Sequence, residues 1–445
     1  MENWNPETWR SRIAKQQPVY QDQEHLADVV TRLAKLPPLV TSWEIEHLKQ
    51  NLAMASEGKL FVIQGGDCSE NLDDCSTDAI VRNLKVLMQM SLVLMYRSMK
   101  PVVRIGRIAG QYAKPRSKDT ETRDGVTLPV YRGDIINRSG FSEQERQPDP
   151  ELLLRGYERS ALTLNFIRAL CAGGFADLHH PENWDLGYVS TSTDSNRYQQ
   201  LVNSIGDALQ FMETVAETSI SQLERVDLYT SHEGLHLTYE QSQTRRVPRR
   251  DGYYNLSTHF PWIGDRTRKL DGAHVEYFKG INNPIGLKIG PSMEPEELKK
   301  ICEVLNPLNE PGRLMLIHRF GADKITEHLP QLIKAIQSCG AQVVWCSDPM
   351  HGNTFSADNG IKTRHLDQIE KELLGAFEIH RNEGSILAAA HLELTGDNVT
   401  ECIGGARGLT ENDLTKAYKS PVDPRLNYEQ AMEISFLIAE QIQKS

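Results

Sequence analysis

The stretch Arg97–Lys118, RSMKPVVRIGRIAGQYAKPRSK, holds seven cations and no carboxylate in a chain of net charge -11. Lys114, Arg116 and Ser117 offer the charged and hydroxyl donors that bind phosphate, Gly110 allows close backbone approach, and Pro115 stiffens the loop. Further cations follow other short apolar runs: Arg107 after Ile105, Arg266 after Trp262, Lys288 within Gly-Leu-Lys-Ile-Gly, and Arg319 after His318. An ammonium flanked by apolar residues, as at Lys288, must point into something polar, because an unpaired buried charge is costly. Like charges gathered without carboxylates call for an anionic ligand. Two such clusters suit a substrate pair that together carries two phosphates and a carboxylate.

A second group has metal-ligand chemistry: Cys68 after Gly-Gly-Asp, His351 in Asp-Pro-Met-His-Gly, Glu393 beside His391, and Asp423 opening Asp-Pro-Arg-Leu-Asn. One thiolate, one imidazole and two carboxylates suit a divalent transition ion, Mn, Fe, Co or Zn. No pair of these residues has a tight ligand spacing, and His232, His318 and His391 compete for the role.

The elements that must position these groups alternate between strands and helices. Nine apolar runs read as strands: Leu60–Gln64, Val102–Ile105, Phe175–Leu178, Val226–Tyr229, Phe260–Ile263, Ile285–Ile289, Leu314–Ile317, Val343–Trp345 and Ile386–Leu392. Amphipathic helices are predicted at Glu296–Leu305, Ile325–Ser338, His365–Arg381 and Tyr428–Ile442. Alternation implies parallel pairing. Functional residues after almost every strand imply an α/β fold of the (β/α)8 TIM-barrel type. Nine runs exceed eight places, and Phe175–Leu178, the shortest, is the one set aside. Extra helices and loops are expected between residues 119 and 225. Residues 1–58 read as an N-terminal helical extension packing outside a catalytic barrel at 59–445, with a helix ending at Pro37-Pro38 and a capping box at Thr41-x-x-Glu44.

Composition narrows the partner. A pI near 5.7 argues against general nucleic-acid or anionic-membrane binding. The start MENWNPETWR has no secretory pattern, and the apolar run Leu84–Met99, broken by Lys85, Gln89 and Arg97, is read as short of a spanning helix, so a cytoplasmic protein is expected. The seven scattered cysteines, without CxxC, suit reduced thiols. GxGxxG and the P-loop pattern are absent. The basic loop Arg245–Arg250 reads as a solvated surface.

The chain closely resembles the class II 3-deoxy-D-arabino-heptulosonate 7-phosphate (DAHP) synthases. The resemblance runs from Trp9-Arg10, Gln17-Pro18 and Pro37-Pro38-Leu39-Val40 through Gln64-Gly-Gly-Asp-Cys68-Ser-Glu70, Arg107-Ile-Ala-Gly-Gln-Tyr-Ala-Lys-Pro-Arg-Ser117 and Tyr131-Arg-Gly-Asp134. It continues in Thr230-Ser-His-Glu233, Arg266-Thr-Arg268, Asp271-Gly-Ala-His274, Asp348-Pro-Met-His-Gly-Asn-Thr354, Val399-Thr-Glu-Cys-Ile-Gly-Gly405 and Asp423-Pro-Arg-Leu-Asn427.

It implies condensation of phosphoenolpyruvate with erythrose 4-phosphate and water, releasing phosphate. It also implies that Cys68, His351, Glu393 and Asp423 hold the metal, with Mn favoured. Arg107, Asp265, Arg266, Lys288 and Arg319 would bind phosphoenolpyruvate, and Lys114, Arg116 and Ser117 the sugar phosphate. Lys288, Arg107 and His351 would be the catalytic residues. The implied metal polarises the aldehyde toward attack by C3 of phosphoenolpyruvate, water captures C2, and phosphate leaves by C–O cleavage. The group that activates the water is not assigned.

A homo-oligomer, dimer or tetramer, is implied, with a chorismate mutase or an aromatic amino acid as candidate partner or effector. Two departures stand out. Asp265 occupies a position where Glu is expected, and Val422 stands where members often carry Cys, which excludes a disulfide from there to Cys68. The competing readings are an aldol-type synthase using another aldehyde phosphate and a non-catalytic regulatory barrel.

Overall fold

The computed structural model describes residues 4–173, 175 and 227–444. Eight parallel strands close into a barrel: β1 (Phe61–Gly66), β2 (Val102–Arg107), β3 (Leu228–Glu233), β4 (Phe260–Ile263), β5 (Ile285–Ile289), β6 (Leu314–His318), β7 (Val344–Ser347) and β8 (Leu387–Glu393). Each pairs with its neighbours in sequence, and β8 returns to β1. These are eight of the nine predicted runs. Beyond Phe175, the ninth lies outside the described residues, and the barrel closes without it.

Apart from the half-buried Leu228 that opens β3, the strands are buried along their whole length, as expected where both faces of a parallel sheet are covered. The register sets the first requirement of the site, since Gly66 pairs with both Arg107 and Glu393 and so brings two oppositely charged residues to one level of the barrel rim.

Among the helices are α1 (Gln23–Lys35), α2 (Ser42–Ser56), α3 (Thr77–Ser98), α4 (Glu151–Ala172), α5 (Pro295–Leu305), α6 (Ile325–Cys339), α7 (Leu366–Asn382) and α8 (Tyr428–Gln443). Helix α2 starts at the predicted capping box, in which Thr41 and Glu44 satisfy each other's backbone donors. Within the 1–58 extension, α2 packs against the N-terminal mouth of the barrel. Its Leu48, Leu52 and Ala55 join one apolar cluster with Leu60, Val62, Val103, Met315 and Val344 at the N-terminal ends of the strands. Full burial of a leucine there contributes roughly 1.5–3 kcal/mol. The end of the barrel opposite the site is thereby closed.

Helix α3 runs 22 residues and contains Leu84–Ser98; by length and composition alone it is long and apolar enough to cross a membrane. Most of that apolar surface is already used, because α3 packs along α8 and against the barrel. Between β2 and β3 the described decorations are an antiparallel hairpin, Thr120–Arg123 with Val126–Pro129, and helix α4. The remainder of the interval expected to carry decorations lies outside the described residues.

Candidate active site

The C-terminal ends of the strands surround a cavity of about 360 Å3. It brings together Arg107, Lys114, Arg116, Ser117, Asp265, Arg266, Lys288, Arg319, His351 and Asp423. Cys68 and Glu393, both fully buried, form a cluster with Asp423. This is the usual location of function in such barrels, where the loops after the strands supply the side chains.

Gly66 explains how the cluster forms. Its φ is +143°, and a Cβ there would lie 2.7 Å from the Arg107 carbonyl, so only glycine lets β1 pass so close to β2 before the chain turns into Asp67 and Cys68. Arg107, at the end of β2, is locked from several sides. Its Nε donates to the Asp67 carbonyl at 2.9 Å, one Nη2 bond reaches the Cys68 carbonyl at 3.2 Å, and another reaches Glu393 Oε1 at 2.9 Å. Its guanidinium also contacts His391 and stacks over the Trp262 ring.

Cys68 Sγ and the carboxylate oxygens of Glu393 and Asp423 lie within 4.8 Å of one another. His351 joins them through Nε2, 3.0 Å from Glu393 Oε1, while its Nδ1 is held by Asp348 Oδ2 at 2.7 Å. A carboxylate behind a histidine fixes the ring and its tautomer, as in many metal sites. Lys114 Nζ sits among the same groups, 3.0 Å from Cys68 Sγ, 3.0 Å from Glu393 Oε1 and 3.1 Å from Asp423 Oδ2.

The electrostatics follow from this crowding. Burial and the nearby Glu393 push the Cys68 thiol up to about 12. Burial also opposes the charge on Glu393, but His351, Lys114, Arg364 and Arg107 outweigh it and hold its carboxyl well below the ordinary range. The same balance, with Lys114 the largest stabilising neighbour, depresses Asp423. The donor set therefore fits a divalent transition ion: the surroundings favour the charged form of both carboxylates, the imidazole is oriented, and a dication bound to the sulfur would draw off the thiol proton as Lys114 alone does not.

The other cations are held differently. Lys288, buried on β5, pairs with Asp348, while burial and then the Arg107 charge lower its proton affinity. Arg319 donates from Nη2 to the His351 carbonyl at 2.7 Å and from Nη1 to Asp265 Oδ2 at 3.4 Å. Asp265 also accepts from Arg268 Nε at 3.0 Å, so it orients two arginines. Arg266 and Ser117 are exposed at the cavity wall, with Arg116 half-buried beside them.

Several site residues went unassigned in the sequence. Glu233 at the end of β3 lines the cavity with Oε1 unpartnered and with burial raising its carboxyl pKa; it belongs to the quoted Thr230–Glu233 motif but had no role. Lys362 enters from a two-stranded pairing of Phe355–Ser356 with Lys362–Thr363 and reaches Asp423 Oδ1 at 3.0 Å. Gln16, in the N-terminal extension, clamps the phosphate-type loop by bonding both the N–H and the carbonyl of Arg116. Asp348 and Arg364 support His351 and Glu393 from behind. The strand-end position of Glu233 and Asp348 was the available signal. For Lys362 and Gln16 there was none.

The family model described as the Class-II DAHP synthetase family matches residues 4–439. A phospho-2-dehydro-3-deoxyheptonate aldolase from Neurospora crassa is 48% identical over 453 residues, covering 98% of this chain and 94% of that protein. Its counterpart from Streptomyces coelicolor is 48% identical over 433 residues, covering 97% and 96%. A solved phospho-2-dehydro-3-deoxyheptonate aldolase from Francisella tularensis SCHU S4 aligns over 96% of this chain and 98% of that one at 14% identity, with a TM-score of 0.48, a likeness too loose to carry an argument.

Proposed function

The chain belongs to the class-II DAHP synthetase family, whose reaction is the first step of the shikimate pathway, and from that premise we propose how its residues divide the work. One observation carries the proposal: a single cavity joins a row of phosphate-type cations to a buried cluster of thiol, imidazole and carboxylates.

Arg107, Arg266, Lys288 and Arg319 bind the phosphate and carboxylate of phosphoenolpyruvate, and Asp265 aligns Arg319 for that contact. Arg116 and Ser117 receive the phosphate of erythrose 4-phosphate, on a backbone that Gln16 steadies. Lys114 lines the same cavity, with its ammonium on Cys68, Glu393 and Asp423. Cys68, His351, Glu393 and Asp423 hold a divalent ion, with Mn favoured. When bound, such an ion supplies Lewis-acid polarisation to the aldehyde. The cations hold the two substrates face to face, converting a bimolecular encounter into a positioned one. Trp262 and the walls at Gly264 confine the reacting carbons.

Seven free thiols among the described residues support a reducing, cytoplasmic setting. Assembly as a dimer or tetramer, and control by an aromatic amino acid or a chorismate mutase, complete the proposal on family grounds alone. The deciding experiment follows phosphoenolpyruvate absorbance on addition of erythrose 4-phosphate, with and without chelator and added Mn. Loss of absorbance that requires both sugar and metal is expected; loss that persists in chelator would overturn the metal role.

A further inference from the structure

The ammonium of Lys114 stands at the common focus of three groups read above as metal ligands. A divalent ion bonds such donors at roughly 2.0–2.3 Å, which spaces tetrahedral donors about 3.3–3.8 Å apart. Around Lys114 the contacts are 3.0–3.1 Å, Cys68 Sγ and Asp423 Oδ2 are 3.9 Å apart, and the three donors spread within 4.8 Å. The 3.0–3.1 Å contacts are those of an ammonium, and the donors are near enough together for an ion to take its place. An ion drawing the same donors inward would occupy the place of Nζ, and two cations cannot share it.

Lys114 also has somewhere else to go. Its backbone is pinned by the N–H bond to the Arg132 carbonyl at 2.9 Å, and the next three residues, Pro115, Arg116 and Ser117, line the outer cavity. A swing of the side chain alone would carry the charge from the ligand cluster toward that wall.

We propose that Lys114 is a tethered competitor for the metal. It holds Cys68, Glu393 and Asp423 together until a divalent ion displaces it, and the displaced ammonium then serves the sugar-phosphate end of the cavity. Metal and erythrose 4-phosphate consequently strengthen each other's binding, as linkage requires when one side chain is shared between two sites. The inference rests on the ligand reading of the previous section.

The test measures Co2+ binding to chelator-treated protein by calorimetry and by the thiolate-to-cobalt absorption band, in wild type, Lys114→Met, Lys114→Gln and His351→Ala. Removing the ammonium should tighten Co2+ binding about tenfold in both Lys114 variants. Erythrose 4-phosphate should tighten Co2+ binding in wild type and do so distinctly less in Lys114→Met. Co2+ affinity in the Lys114 variants that is equal to or weaker than wild type, or an equal effect of the sugar in both, would overturn the competition. His351→Ala separates the two failures: wild-type Co2+ affinity there sinks the ligand reading itself, whereas lost affinity there with unchanged affinity in Lys114→Met sinks the competition alone. Circular dichroism confirms that each variant is folded, and Lys114→Gln decides the matter if Lys114→Met is not.

Discussion

The inner and outer ends of the cavity are both rich in charge, yet they are built on opposite terms. At the inner end Glu393 Oε1 alone is met by Arg107, Lys114 and His351, while Lys288 is paired with Asp348 and Cys68 is fully buried. At the outer end Arg266 and Ser117 are exposed on the cavity wall, and Arg116 is fixed through its backbone by Gln16. Burial accounts for the difference. A charge withdrawn from water must be met by protein, whereas an exposed cation keeps its hydration until an anion replaces it. The inner end is a preorganised charge cluster, and the outer end is a hydrated cationic surface, which the proposed function reads as catalytic centre and binding surface.

Breaking the inner end should therefore cost most. His351→Ala should lower metal-dependent turnover by about a thousandfold, the scale of several kcal/mol of lost charge stabilisation, with the far-ultraviolet spectrum unchanged. Lys288→Met leaves Asp348 buried beside His351 without its ammonium partner, so it should destabilise the fold by about 3–5 kcal/mol, read as a lower urea midpoint at constant slope. At the outer end Arg266→Ala should raise the KM for phosphoenolpyruvate about 10–100-fold, the worth of a hydrogen bond to a charged group, while moving stability by less than about 0.5 kcal/mol. An unchanged KM would remove Arg266 from the binding set. Raising salt to about 0.5 M should increase both KM values severalfold in wild type but barely shift the urea midpoint, because screening acts on the exposed charges far more than on the buried pairs. Ser117→Ala should be smallest, about 2–10-fold in the KM for erythrose 4-phosphate. A larger loss of stability from Arg266→Ala than from Lys288→Met would dissolve the distinction between the two ends.

Much of the scaffold could be read from the chain. Seven of the predicted strands, Val102–Ile105 and Val343–Trp345 among them, carried the apolar run and polar terminus of a barrel strand clearly, and the Thr41–Glu44 capping box opens α2 as expected. The run Val226–Tyr229, whose first residue lies outside the described ones, caught only the start of β3, which runs from Leu228 to Glu233 through Ser231 and His232. These polar residues hide a strand because they find partners inside the barrel, Ser231 Oγ accepting from Gln64 and His232 Nε2 meeting Glu240. What α2 does was hidden for another reason. Its Ile45, Leu48 and Leu52 mark an apolar face, but a face does not state its partner, and the partner turned out to be the lower mouth of the barrel.

By itself the sequence determined the chemical inventory: a thiol, an imidazole and two carboxylates near cations in strand-end positions, on alternating elements that can only pair in parallel. The tertiary structure decided which of those groups meet. Gly66 paired with both Arg107 and Glu393 brings residues 286 positions apart to one level of the rim, where Cys68 and Asp423 gather around Glu393 and His351 reaches the same carboxylate. It also decided that Lys114, a cation like its neighbours in sequence, lies among Cys68, Glu393 and Asp423 rather than with Arg116 and Ser117. A long flexible side chain can serve either end of a cavity, and only the arrangement of opposite charge around it selects one.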